Sequence, residues 1–225
     1  MATTKNDLLP ILSEATAKLE EALQALGQPN LLRQWRFWHG PAGTVDPQRA
    51  ISGDVSDWEE VTTPRGWSTA SGETWLRGIV RYPEAVEGIP TAGSPLEMGI
   101  NLPVHCRVYV NGELAAGHDW WLDARIAPIP LAEALHPGQS FEVACVIPQG
   151  DGLGGFGGAR LRCQRVQETV NALELLRAQL AFSRFLAAQK GARAQSAWRK
   201  AVEGLPWAAL AARDWGKWQT GAAEG

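Results

Sequence analysis

Residues 104–116 read Val-His-Cys-Arg-Val-Tyr-Val-Asn-Gly-Glu-Leu-Ala-Ala, and this stretch decides the fold. Val104, Cys106, Val108 and Val110 alternate with His105, Arg107 and Tyr109, the period of a half-buried strand. Asn111-Gly112 follows at once. Between strand-like segments this dipeptide is the strongest short-range hairpin signal, because both turn residues must take positive φ. Glu113-Leu114-Ala115-Ala116 is then the return strand.

The same grammar extends outward on both sides. Residues 74–82 are rich in aromatic and branched side chains and stop at Pro83. After the turn His136-Pro137-Gly138, Phe141, Val143, Cys145 and Ile147 alternate with Glu142, Ala144 and Val146. A last strand is expected over 159–166, and shorter ones at 35–38, 58–61, 96–102 and 126–129. No helix is visible among them, and a parallel sheet needs a helical crossover. The reading is therefore mainly β, an antiparallel β-sandwich with an N-terminal helix and a C-terminal helical segment.

The two ends change period. Leu8, Leu12, Ala15, Leu19, Ala22 and Leu26 form one apolar stripe, so a helix is expected over 7–26. Asn6 or Asp7 can cap it, and Gly27 and Pro29 stop it. Val166, Val170, Leu173, Leu176 and Leu180 make a second stripe over 165–188. Gly191 interrupts it, and two shorter helices are expected near 192–203 and 206–218, with a loose end at 221–225. The expected divisions are 1–30, a helix packing on the sandwich; 31–165, the sandwich; and 166–225, the helical segment.

Charge breaks at the same place. Residues 1–159 hold 10 Lys and Arg against 19 Asp and Glu, whereas 160–225 hold 11 against 5. Mutual docking of an acidic body and a basic tail explains this more simply than RNA binding, because the tail lacks interleaved stacking aromatics and glycines. The net charge of −3 argues against global attraction to nucleic acid. No apolar run reaches membrane-spanning length, and the N-terminus lacks the continuous apolar core of a secretory signal. Three cysteines and no Asn-X-Ser/Thr sequon suit a reducing compartment, so a cytoplasmic location is expected.

Four motifs carry possible chemistry. Gly150, Gly152 and Gly155 satisfy G-x-G-x-x-G, but strand-like residues follow where a dinucleotide site needs a helix. A mobile loop between strands is the simpler reading, and no cofactor is expected. His118-Asp119-Trp120-Trp121-Leu122-Asp123 is the densest polar–aromatic cluster. Its spacing is not that of a metal site. Indole faces stack on sugar rings while carboxylates take hydroxyls, so His118, Asp119, Trp120 and Trp121 are the candidate sugar-binding residues. One indole in the core and the other capping a loop is the competing account. Cys106, Cys145 and Cys163 form no C-x-x-C pair, and no G-x-S-x-G elbow occurs. Glu59, Glu60, Glu73 and Glu97 are explained by solvated strand faces.

Taken together, the order of features resembles a known pattern. A Trp-rich entry at 35–38 precedes Trp58, Trp67 and Thr74-Trp75-Leu76-Arg77 with Tyr82-Pro83. Val108-Tyr109-Val110-Asn111-Gly112-Glu113 follows, then Ile129-Pro130-Leu131, Leu135, Gly138 and Phe141-Glu142-Val143. This resembles the galactose-binding-like jelly roll attached to many glycoside hydrolases. Among those it is most similar to the N-terminal ancillary domain of family 38 α-mannosidases, over roughly residues 33–190. The family's zinc motif is H-x-D, whereas His118 and Asp119 are adjacent and follow a hairpin. Neither its zinc nor its nucleophile is therefore carried over.

The resemblance implies a non-catalytic carbohydrate-binding-like or ancillary module, with a carbohydrate and a separate catalytic glycoside-hydrolase chain as partners, and neither nucleic acid nor membrane. The alternative is an assembly subunit that docks a partner through an exposed, basic, Trp-rich tail, with Trp198, Trp207, Trp215 and Trp218 as anchors. A complete small hydrolase is the third reading, and no acid–base or nucleophile constellation supports it.

Overall fold

The computed structural model describes residues 8–27, 31–32, 34–102, 105–118, 128–150 and 152–224. Helix α1 (Leu9–Gly27) opens the chain, followed by strands β1 (Leu31–Leu32) and β2 (Gln34–Gly40), helix α2 (Pro47–Ser52), β3 (Glu59–Thr62), β4 (Arg65–Ser68) and β5 (Glu73–Arg81). The hairpin β6 (Ala85–Val86) and β7 (Ile89–Pro90) leads to β8 (Leu96–Ile100), β9 (Cys106–Val110), β10 (Glu113–His118), β11 (Ile129–Ala132), β12 (Ser140–Ile147), β13 (Leu153–Phe156) and β14 (Ala159–Cys163). Four helices end the chain: α3 (Gln164–Lys190), α4 (Ala192–Glu203), α5 (Trp207–Ala211) and α6 (Trp215–Glu224).

The chain divides into two compact units. Met1–Gln28, Ala85–Pro90 and Arg165–Gly225 form one, and Pro29–Glu84 with Thr91–Gln164 form the other. Among the described residues, 41% are helical and 33% lie in strands, so the fold is mixed rather than mainly β. The periodicity locates the helices, but α3 alone runs for 27 residues, more than any strand.

In the sheet unit a six-stranded sheet has the order β10-β9-β12-β5-β2-β3, and a four-stranded one the order β1-β14-β8-β11. Every recorded pairing is antiparallel. The Asn111-Gly112 turn joins β9 to β10, with both residues at positive φ, 50° and 89°. Phe37, Leu76, Cys145 and Val108 pair across four neighbouring strands and bury one face of the larger sheet. Leu96, Met98, Ile100 and Leu161 do the same for the smaller. Apolar burial of this kind stabilises by about 25 cal/mol per Å2.

The other face of the six-stranded sheet is not simply solvated. Trp38, Trp75 and Val146 form a cross-strand row there, packed with Val45, Ala50, Val55, Trp58 and Ile51 from the α2 segment. This corrects the expectation of no helix among the strands. Asp46 caps α2 by accepting from the Gln48 N–H at 3.0 Å, and Pro47 begins the helix. Burial from both sides explains why Trp75, Leu76 and Arg77 in the centre of β5 are all buried.

Two further corrections concern backbone. The Gly-rich run is not a plain loop. Leu153–Phe156 is a strand paired with β4, and Thr69 holds Gly152 through three hydrogen bonds: its hydroxyl donates to the carbonyl at 2.8 Å and accepts from the N–H at 3.0 Å, and its backbone N–H donates to the same carbonyl at 2.9 Å. The last strand stops at Cys163 and α3 begins directly, because the apolar period changes there.

In the helical unit, α1 buries Ala15, Leu19, Ala22 and Leu26, the expected stripe, and packs against α4 and α5. The β6–β7 hairpin turns through Glu87 and Gly88, both at positive φ. Trp215 Nε1 donates to the Glu87 carbonyl at 2.7 Å, and Arg213 Nε to the Glu87 carboxylate at 3.2 Å. The expected helix at 206–218 is broken at Arg213, which sits at φ 58°. The C-terminal residues expected to be loose continue α6 to Glu224.

Candidate binding cleft on the six-stranded sheet

Beside α2, the outward face of the larger sheet forms a cleft of about 400 Å3. Strand pairing assembles it. Glu60 on β3 lies opposite Arg36 on β2, Arg36 opposite Arg77 on β5, and Ile79 on β5 opposite Glu142 on β12. The loop 53–56 closes one side.

Arg77 is the fixed point. It is 6% exposed, and donates from Nη1 to the Ala50 carbonyl at 2.9 Å and from Nη2 to Glu142 Oε2 at 2.6 Å. One guanidinium thus ties α2 to the sheet and orients a carboxylate whose side chain remains 48% exposed. Arg36 Nη1 donates to the Trp58 carbonyl at 3.1 Å. Asp54 at the rim accepts the Ser56 backbone N–H, and this bond lowers its pKa below the usual carboxylate range. Ile79 stands exposed beside these charges. Alternating guanidinium and carboxylate groups next to an apolar patch suit a hydroxylated ring with one C–H face.

Most of the residues singled out from sequence fall elsewhere. His118 ends β10 opposite Cys106. Asp119, Trp120 and Trp121 lie outside the described residues. The tail tryptophans are described, and the expectation that they stand exposed is corrected. Trp198, Trp215 and Trp218 are buried, while half-buried Trp207 packs on Trp218 with ring centroids 5.7 Å apart. Trp198 Nε1 donates to Ser183 Oγ at 2.9 Å and Trp207 Nε1 to the Val202 carbonyl at 2.8 Å. Large apolar rings with a satisfied N–H are core groups of the helical unit.

A second constellation had no sequence signal. His39 Nε2 lies 2.8 Å from Ser71 Oγ, and its Nδ1 lies 2.8 Å from Thr74 Oγ1. Ser71 donates onward to the Ser68 carbonyl at 3.0 Å. The contacts run as one chain, Thr74–His39–Ser71–Ser68.

Cys106 and Cys145 are buried, and burial pushes both thiols up, Cys106 to about 12, which keeps them protonated. Among the described residues, no group of three His, Cys, Asp or Glu is placed to hold a metal. No helix among them is long and apolar enough to cross a membrane.

No protein-family model matches the sequence, and no curated protein matches it. Solved structures do resemble the chain. A β-glucuronidase from Bacteroides uniformis is 14% identical, with a TM-score of 0.46 over 59% of this chain and 17% of that one. A β-glycosidase from Bacteroides vulgatus is 16% identical, with a TM-score of 0.45 over 60% and 20%. A glycosyl hydrolase family 2 member from Bacteroides cellulosilyticus is 15% identical, with a TM-score of 0.42 over 59% and 21%. The chain spans about a fifth of the length of each.

Proposed function

We propose that the chain is a non-catalytic, carbohydrate-binding or ancillary module of a glycoside-hydrolase system, its two larger sheets forming a galactose-binding-like β-sandwich. The cleft carries this reading. Rigid neighbouring strands present Arg36, Glu60, Arg77 and Glu142 around Ile79, the few polar groups beside an apolar wall that sugar recognition uses. The order of motifs from Trp35 to Phe141 further supports an α-mannosidase-like version acting with a separate catalytic chain, and three cysteines with no Asn-X-Ser/Thr sequon support a cytoplasmic location. Trp120 and Trp121 would add indole faces to the sugar site.

A glycan array followed by calorimetry tests this. Weak binding is expected, diminished by Ile79→Glu and Glu60→Gln in the cleft, and by Trp120→Ala or Trp121→Ala if the segment after β10 contributes. A chain that binds no glycan overturns the sugar-binding reading.

A second reading, an assembly subunit that binds no sugar, is favoured by one observation. Helix α3 leaves Phe182 and Phe185 mostly exposed, at 65% and 51%. The docking anchors would then be these rings in place of the tail tryptophans.

A further inference from the structure

We infer that the sugar site continues past Glu142 across β9 onto Tyr109 and Leu114, so that its ligand is a neutral oligosaccharide rather than a single sugar. The inference rests on the sugar-binding reading and names that ligand more closely.

One row of paired residues crosses all six strands of the larger sheet. Leu114 on β10 pairs with Tyr109 on β9, Tyr109 with Ala144 on β12, Ala144 with Arg77 on β5, Arg77 with Arg36 on β2, and Arg36 with Glu60 on β3. Directly paired residues share a face of the sheet, so the whole row lies on the face that carries the cleft. Neighbouring strands are about 4.8 Å apart, which puts Tyr109 about 19 Å from Glu60. That is too far for one pyranose to bridge and suits a short chain of them.

The row is polar at one end and apolar at the other. Arg77, Arg36 and Glu60 line the cleft. Beyond it Tyr109 is half-buried and Leu114 is 62% exposed. Glu142 joins the two ends. Ala144 pairs with Tyr109, so Glu142, two residues before it, is the diagonal neighbour of the ring. Trp38 and Trp75 share this face but are packed with the α2 segment. Among the described residues, Tyr109 is therefore the aromatic ring of this face that a sugar can stack on.

The platform is held in register with the cleft. At the hairpin, Asn111 Oδ1 accepts the Glu142 N–H at 2.9 Å, and the Asn111 N–H donates to the Glu142 carbonyl at 2.8 Å. The strand that carries Tyr109 is thus fixed to the residue that ends the cleft, and a rigid surface loses little entropy on binding. The chemistry of the strip selects the occupant. Ile79, Tyr109 and Leu114 are interleaved with Arg36, Glu60 and Glu142, whereas the core of a protein interface is depleted of charge. Glu60, Glu142 and Asp54 also outnumber Arg36 and Arg77 around the cleft, which disfavours a polyanion. A chain of neutral sugars offers a C–H face and hydroxyls at every unit and matches both kinds of group.

Calorimetry of the full chain with mannose, mannobiose and mannotetraose tests the extension. Affinity is expected to rise along the series, with mannotetraose bound at least about tenfold more tightly than mannose. Tyr109→Ala is expected to weaken mannotetraose about three- to tenfold and mannose by less than about twofold. Tyr109→Phe keeps the ring and should keep most of the affinity. Leu114→Asp changes a side chain that is mostly in solvent, and should weaken mannotetraose alone without moving the melting temperature. Ile79→Glu, inside the cleft, should weaken every member of the series. Equal affinity along the series, a Tyr109→Ala loss as large for mannose as for mannotetraose, or no loss from either Tyr109→Ala or Leu114→Asp overturns the extension and leaves sugar binding in the cleft standing. Binding of no member also overturns it, and the glycan array then decides the sugar-binding reading by itself.

Discussion

Trp35 packs directly over Gly78, and Gly78→Ala tests that contact. Extending the β2–β5 register one pair beyond Arg36 and Arg77 sets Trp35 opposite Gly78. A β-carbon at Gly78 would meet three ring atoms of Trp35 at 2.6, 2.7 and 2.8 Å. The ring has nowhere to go. It is 2% exposed and meets Phe156 edge-to-face, with centroids 4.9 Å apart. Overpacking of this kind costs about 1–3 kcal/mol, offset by about 0.5 kcal/mol from replacing a strand glycine. The net loss is about 0.5–2.5 kcal/mol, a melting temperature lower by roughly 1–10 °C. Urea denaturation should show a lower midpoint with an unchanged slope. In a Trp35→Leu background, where the ring is gone, the same substitution should be neutral or slightly stabilising, a coupling of about 1–2 kcal/mol. Gly78→Ala equal to the parent, or equally costly in both backgrounds, would refute the reasoning.

Three other outcomes follow from the geometry. Arg77→Met strands the Ala50 carbonyl and is expected to cost about 2–3 kcal/mol in urea denaturation, against about 1 kcal/mol for Glu142→Gln, whose side chain is half exposed; equal costs would show that the α2 contact is weak. Thr69→Val removes the two hydroxyl bonds to Gly152, leaving the Thr69 backbone N–H on its carbonyl, and should speed limited proteolysis within 150–155 about tenfold, since about 1–2 kcal/mol of local stability is lost; an unchanged cleavage rate would count against the clamp. Burial raises the Cys106 thiol from 9.0 to about 12, so the unfolded chain releases its proton first as pH rises. That contribution to stability is complete below about pH 9 and is lost progressively toward pH 12. Cys106→Val should flatten the decline, and a slope identical to the parent's would contradict it.

The sheet was readable wherever one face is apolar and the other polar. β9 and β12 fall where alternation places them, β10 where the Asn111-Gly112 turn places it, and β5 where its aromatic and branched residues place it. Reading failed where that condition fails. β13 is Leu-Gly-Gly-Phe, without an alternating pattern, and Gly154 is required there because a β-carbon would lie 2.3 Å from Trp67 Nε1. α2 is too short for a helical stripe, although Asp46-Pro47 is a legible start. The tail tryptophans showed the converse failure. A helical period says that a face is apolar, not what covers it. Trp198, Trp215 and Trp218 turned out to be covered, while Phe182 and Phe185 were not.

The cleft was hidden for a related reason. Arg36, Glu60, Arg77 and Glu142 each occupy the polar phase of a strand, and singly each reads as a solvated face. Their sequence separations run from 17 between Glu60 and Arg77 to 106 between Arg36 and Glu142. Only the strand order β12-β5-β2-β3 places them side by side, and only the α2 segment removes Arg77 from water. Once α2 covers Trp75 and Val146, a guanidinium on the same face must find fixed acceptors or move outward. It finds the Ala50 carbonyl on the helix and Glu142 on the next strand. The same burial that makes this sheet resist reading as simple alternation therefore fixes the orientation of the charged groups in its cleft.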